Sequence, residues 1–188
     1  TGAGKNPGRL TALKAALSGH AAAAVDASPV PLDELEDKVV KAGGQCKTYI
    51  SDMAKKRFVQ GTLEQVRDDF GTLDAVVLTA SVNPPGGLLT LGEWDWQRAL
   101  DVNLSGVFYA LQAYARVCVD QPGGGCAVVV IPGRSHPAGN ICADALLRLA
   151  REAYHEFTGD NLRVHIIQGE RLTPEEISTH ILRLLADP

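Results

Sequence analysis

Residues 126–131 read Cys-Ala-Val-Val-Val-Ile, an apolar run with nothing polar inside it. Neighbouring side chains of a strand point to opposite faces, so a strand with one wet face alternates apolar and polar residues. A run that does not alternate needs cover on both faces. Shorter runs of the same kind stand in His20–Ser28 and in Leu73–Ser81. Segments with helical spacing separate them. Buried strands alternating with helices predict a parallel sheet with helices on both faces, a doubly wound α/β fold.

The pattern places the elements in order. A glycine-rich opening leads to a helix over Arg9–Leu17, then a strand within His20–Ser28 that ends in the acid Asp26. An amphipathic helix from Pro31 is ended by Gly43 and Gly44. Cys46–Met53 reads as a strand, Arg57–Phe70 as a helix closed by Gly71, and Leu73–Ser81 as a buried strand. Asn83–Gly87 is a loop. Gly92–Asp120 is a long helical stretch, one helix or two. A turn at Pro122 precedes the apolar strand. Ala138–Phe157 is a helix with Ile141, Ala145, Leu146, Leu149 and Ala153 along one face. Asn161–Glu170 is a strand. Thr173–Asp187 is a helix, with Thr173 as cap, Pro174 in the first turn, and Glu175 and Glu176 facing the positive end of the helix dipole. No repeat or linker interrupts the pattern, and residues 1–188 read as a single domain.

The length suits one domain with a sizeable core. Net charge is −4, and no run of Lys or Arg is present, which argues against a nucleic-acid partner or a basic membrane-surface patch. No apolar stretch is long enough to span a bilayer. The four cysteines form no Cys-x-x-Cys pair and no His/Cys cluster with zinc spacing. They read as reduced thiols of a cytoplasmic protein, with no metal site.

Several segments, in order, resemble the short-chain dehydrogenase/reductases over nearly the whole chain. Thr1–Gly8, "TGAGKNPG", is similar to that family's TGxxxGxG cofactor turn. "VDAS" at 25–28 is similar to the end of its second strand, and "SDM" at 51–53 to the acid and apolar pair that touches adenine. "FGTLDAVVLTAS" at 70–81 stands where the family has LDxLVNNAG, and "DVNLSGVF" at 101–108 is close to its xVNLxGxF helix. The resemblance implies a Rossmann-type fold and a nicotinamide dinucleotide.

It also implies site residues. Gly2 and Gly8 take the glycine positions that let backbone approach a pyrophosphate at a helix N-terminus. The middle glycine is replaced by Asn6, followed by Pro7, which lacks a donor; a tight turn without ligand is the competing reading. Asp26 holds the position of the acid that binds the adenine ribose and selects NAD, and reads equally as a solvated acid at a strand end. Asp52 and Met53 fit the adenine pair, and Asp52 could instead cap the next helix. The paired asparagines of the family's NNAG become Leu78 and Thr79.

The family moves a proton with a tyrosine hydroxyl whose pKa is lowered by a lysine four residues on, on the same helix face. A serine orients the substrate carbonyl and an asparagine supports a relay water. Aligning "ALLRLAR" with the family helix puts Gly139 at the tyrosine and Ala143 at the lysine; a one-residue slip gives Asn140 and Asp144. Neither register supplies a phenol or an ammonium. Ser135 and His136 are the remaining candidates for the serine, on a shortened loop that also reads as plain surface. Asn103 alone is retained, and it can equally satisfy backbone groups. The passage from Asn161–Glu170 straight into the last helix leaves no room for a substrate lid of the usual size.

What the resemblance implies is therefore a non-catalytic subunit of a hetero-oligomeric, NAD-dependent short-chain dehydrogenase. A catalytic paralogue in a heterotetramer would carry the NAD and oxidise a hydroxyacyl-CoA-type alcohol, and this chain would bind no cofactor. Heteromeric members of aromatic breakdown, such as the enzyme acting on a hydroxybenzylsuccinyl-CoA in anaerobic toluene degradation, set the pattern. Phe108, Tyr109, Leu111, Tyr114, Leu146 and Leu149 are the expected interface, with core as the alternative for about half of them. The alternatives are an active NAD-dependent enzyme with rearranged groups, and a nucleotide-binding regulatory module.

Overall fold

The apolar run at 126–131 forms most of β4 (Gly125–Ile131), a strand buried at every residue. It lies between β3 (Ala75–Leu78) and β5 (Leu162–Gln168). Both ladders are parallel, with Val129 opposite Leu78 on one side and Ile166 on the other. Its two faces meet different partners. Ala127, Val129 and Ile131 join the large core, whereas Cys126, Val128 and Val130 meet Ile177 and Ile181 of α7 (Pro174–Ala186). Cover on both faces is what the unbroken run requires.

The computed structural model describes residues 1–119, 121–157 and 161–186. Among these, α1 (Gly8–Leu17), β1 (Ala22–Asp26), α2 (Pro29–Lys41), β2 (Cys46–Ile50) and α3 (Lys56–Phe70) precede β3. After it, α4 (Glu93–Leu100), a π-helical turn (Asp101–Ser105) and α5 (Gly106–Val119) follow one another without a break. Then come α6 (Pro137–Phe157), β5, a short 3₁₀ turn (Gly169–Arg171) and α7. The large core packs α3, α5 and α6 against the strands through Leu63, Val66, Leu111, Tyr114, Leu146 and Ala150. On the other face, Leu32, Leu35 and Val39 of α2 pack on Ala22 and Ala24 of β1.

The doubly wound α/β class is as expected, with all ladders parallel. Among the described residues, however, the sheet is in two pieces: β1 pairs with β2 alone, and β3, β4 and β5 form a separate sheet. β1 and β3 are shorter than the apolar runs that announced them: β1 ends at Asp26 and β3 at Leu78, where the Asp26 carboxylate and the Thr79 hydroxyl bond to the opening turn. The expected helix ends at Asp120 and Asp187 lie outside the described residues. The abrupt passage from β5 to α7 is present, spanned by the 3₁₀ turn.

One expectation on α6 needs correction. Its inward face is Ala138, Gly139, Cys142, Ala143, Leu146, Ala150 and Ala153. Ile141 is 44% exposed, and Ala145 and Leu149 lie on the rim. Small residues let the helix backbone approach its neighbours, and that close approach outweighs the larger Ile141 in choosing the face. No helix among the described residues is long and apolar enough to cross a membrane, and none of their His, Cys, Asp and Glu side chains cluster as a metal site. Cys46, Cys118, Cys126 and Cys142 are all free and buried.

Candidate functional site

The opening turn closes on itself. Gly2 has a φ of +72°, open to glycine at little cost. A Cβ there would lie 2.7 Å from the Ala80 nitrogen. A Cβ on Gly8 would lie 2.4 Å from both the Gly2 carbonyl oxygen and Thr79 Oγ1. Both glycines are thus needed by the turn's own packing. Thr79 Oγ1 donates to the Thr1 carbonyl at 2.6 Å, and the Ala3 N–H donates to the Val25 carbonyl at 3.1 Å. Pro7 stands at the N-cap of α1 in helical conformation, and no side chain caps that helix end. Asn6 is exposed.

Asp26, at the end of β1, anchors this turn. Its Oδ2 accepts from the Gly4 N–H at 2.9 Å and its Oδ1 from the Ser28 N–H at 3.0 Å. A carboxylate has roughly four acceptor positions, so Asp26 keeps capacity for a further donor. Asp52 is more fully committed. Both its oxygens accept from Arg98 Nη1 of α4 at 3.0 Å, and Oδ1 also accepts from the Ala54 N–H. It therefore closes a local turn and ties β2 to α4; it does not cap α3, whose N-cap is Lys55. Met53 is buried, and its carbonyl would lie 2.6 Å from a Cβ on Gly106, so Met53 seats the start of α5.

Asn103 sits in the π-helical turn and is 1% exposed. Its Oδ1 accepts from the Val82 N–H at 2.8 Å, and its Nδ2 donates to the Val82 carbonyl at 2.7 Å. Both ends of the amide thus staple the loop after β3. Ser135 is exposed and its hydroxyl accepts from Asn83 Nδ2. His136 contributes its carbonyl to the first turn of α6, accepting from the Asn140 N–H.

The structure brings Ser135, Asn83 and Gly139 together. A Cβ on Gly139 would lie 2.4 Å from Asn83 Oδ1, so the amide of Asn83 occupies the space beside the helix where the resemblance expects a tyrosine. Ala143, at the lysine position, is fully buried. In the alternative register, Asn140 has a buried side-chain carbonyl without a hydrogen-bond partner, and Asp144 is ion-paired with Arg134. That guanidinium holds the Asp144 carboxyl below its ordinary range, and Arg134 also reaches Glu170 at 3.8 Å.

The tyrosines lie elsewhere. Tyr49 donates to Asp69. Tyr114 donates to the Asp74 carbonyl and accepts from the Cys126 N–H inside the core, where burial pushes its pKa far above the ordinary phenol value. Tyr109 stacks edge-on against Phe108. Tyr154 is about 22 Å further along α6 than Gly139, at 1.5 Å per residue. Sequence reasoning missed Asn83 and Arg98. Asn83 carried no signal beyond a loop, and Arg98 pairs with a residue distant in the chain.

Of the expected interface residues, Leu111, Tyr114 and Leu146 are core. Phe108 is 43% exposed, and Tyr109 and Leu149 are partly so.

Comparison with known proteins agrees with this architecture. The family described as short chain dehydrogenase matches residues 1–170. The chain is 24% identical over 179 residues to a 2,3-dihydro-2,3-dihydroxybenzoate dehydrogenase of Bacillus subtilis, covering 95% of this chain and 69% of that protein. It is 32% identical over 113 residues to the (2S)-[(R)-hydroxy(phenyl)methyl]succinyl-CoA dehydrogenase subunit BbsD of Thauera aromatica, covering 60% of this chain and 46% of that one. It thus spans less than half of BbsD. A metagenomic short-chain oxidoreductase solved in complex with NADP superposes with a TM-score of 0.92 at 21% identity, over 100% of this chain and 88% of that one. An NAD+-bound xylitol dehydrogenase superposes with a TM-score of 0.84 at 27% identity, over 98% and 74%. With the family pattern running through nine-tenths of its residues, the chain belongs to the short-chain dehydrogenases.

Proposed function

We propose that this chain is a non-catalytic subunit of a hetero-oligomeric, NAD-dependent short-chain dehydrogenase of the cytoplasm, in which a catalytic paralogue binds the NAD and oxidises a hydroxyacyl-CoA-type alcohol. One observation carries the reading: the helix positions that would hold the proton donor and its tuning cation are Gly139, filled in by Asn83, and the fully buried Ala143. General acid–base catalysis contributes about 10²–10⁴-fold, so its loss leaves little activity.

The residues present are a poor fit for a dinucleotide. Pro7 removes a donor from the turn, and Arg98 holds both oxygens of Asp52. Asp26 alone keeps acceptor capacity, which is the observation in favour of a nucleotide-binding module. That a relative is named as a subunit of a dehydrogenase supports a heteromeric assembly. Phe108 on α5 and Ile141 on α6 supply exposed apolar surface for it, and Tyr109 and Leu149 are partly exposed.

The test joins two measurements on the purified chain. Incubated with NAD+ and hydroxyacyl-CoA or benzylic alcohols, it yields no NADH above the enzyme-free rate, and calorimetry with NAD and with NADP gives no binding heat. A tagged copy expressed in its own cells co-purifies with a catalytic short-chain dehydrogenase. Turnover by the lone chain overturns the proposal in favour of an active enzyme. Tight binding without turnover and without a co-purifying dehydrogenase overturns it in favour of the nucleotide module.

A further inference from the structure

The Asp52–Arg98 pair ties the turn ahead of α3 to α4, and a charged, apolar surface flanks it on either side. On the α3 side, the Lys55 N–H donates to the Asp52 carbonyl at 2.9 Å. Lys55, Lys56, Arg57 and Phe58 then follow as four exposed residues in a row, with Phe58 61% exposed. The first turn of α3 holds no acid, and no side chain caps it. Cations are poorly placed at the positive end of a helix dipole, and an acid brought against them relieves the repulsion.

On the α4 side, Trp94 and Asp95 stand four and three residues before Arg98, about one turn away on the same helix face. Trp94 is 75% exposed, and Glu93 beside it is exposed too. The turn just ahead of α4 is closed by the Gly87 carbonyl, which accepts from the Thr90 and Leu91 N–H groups at 3.0 and 2.9 Å. Leu91 packs beside Trp96 against the small core of Ala99 and Ala138, which pins the turn. Leu88 and Leu89 stand at its tip, both exposed. The two flanks are therefore opposite in charge, and each carries uncovered apolar side chains. Among the described residues, none of Lys55, Lys56, Arg57, Glu93 and Asp95 enters an ion pair within the chain.

We infer that this face docks a second copy of the chain, about a two-fold axis passing near the Asp52–Arg98 pair. The axis sets the basic flank of each copy against the acidic flank of the other, and Phe58 of one against Leu88, Leu89 and Trp94 of the other. A two-fold contact needs a surface complementary to itself, and opposite charges on either side of one pivot have that property. The charges choose the partner and its orientation, while the apolar side chains hold the contact. The surface is separate from the exposed residues of α5 and α6, so the inference does not rest on the heteromeric reading.

The experiment is sedimentation velocity on the full chain over a wide range of concentration. The unsubstituted chain is expected to pass from monomer to dimer as concentration rises, and added salt weakens the dimer about tenfold or more. Lys56→Glu with Arg57→Glu makes both flanks acidic, and Glu93→Lys with Asp95→Lys makes both basic. Each doubly substituted form stays a monomer alone, and the two mixed in equal amounts form a heterodimer, which also shows that both are folded. Leu89→Ser with Trp94→Ser weakens the dimer of the otherwise unsubstituted chain at least tenfold. A monomer at every concentration overturns the inference. So does a dimer that both charge-reversed forms keep, since the contact then lies on another face. Failure of the mixed forms to associate, with the circular dichroism of each unchanged, overturns it as well. If the lone chain stays a monomer and Glu93→Lys with Asp95→Lys instead abolishes co-purification of a catalytic dehydrogenase, the face belongs to that protein and the inference falls.

Discussion

Asn103 stands at a position where the family resemblance expects support for a proton relay, yet both ends of its amide bond to one residue of backbone, Val82. Replacing it with alanine leaves a donor and an acceptor without partners in a nearly dry site, and each unmet group costs about 1–3 kcal/mol. Asn103→Ala is therefore expected to lower unfolding stability by about 2 kcal/mol or more. Urea denaturation checks this: an unchanged midpoint would show the staple to be dispensable. The sequence made the positions of Gly2, Gly8, Asp26 and Asn103 legible, because each sits in a run whose local chemistry repeats the family's. What each one bonds to was not legible. Gly8 is fixed by Thr79 and Gly2, and Asp52 by Arg98, and such partners are chosen by the folded chain and not by spacing.

Helix α7 shows an element whose sequence signal and structure agree in detail. Thr173 Oγ1 accepts from the Glu176 N–H at 3.2 Å, and Glu176 Oε2 accepts from the Thr173 N–H at 2.8 Å, a reciprocal capping box. Those bonds hold the Glu176 carboxyl below its ordinary range. A carboxyl whose folded pKa is depressed contributes stability above its unfolded value, about 4.3 for Glu, and that contribution is lost as pH falls through the folded pKa. Glu176→Gln is therefore expected to lower the melting temperature at pH 7 and to match the unsubstituted protein near pH 2. Melting curves across that interval check it, and a constant difference between the two would refute the linkage. α6 agreed less well. Periodicity found the helix but put Ile141 inward, since a pattern scored on hydrophobicity cannot see that glycine and alanine pack the closest face. β4 was readable from composition alone, because nothing but cover on both sides explains its run of apolar residues. The division of the sheet was not readable, since it turns on which strand edges meet.

At the scale of the whole molecule, a parallel body with helices on both faces keeps the large core on the side of α3, α5 and α6, and smaller ones under α2 and α7. The four cysteines sample these regions: Cys46 the smaller core under α2, Cys126 the contact with α7, Cys118 the large core, and Cys142 the inner face of α6. Burial raises all four thiols, Cys46 to about 11. Thiolate is the reactive form, so at neutral pH each is both shielded and chemically quiet until its surroundings open. Alkylating reagents added to the native protein then act as timers, each cysteine taking label only as often as its own region loosens. The expected order puts Cys46, in the two-stranded piece, ahead of Cys118. Mass-resolved labelling with iodoacetamide would read that order directly, and simultaneous labelling of all four would mean that the two pieces come apart in one step.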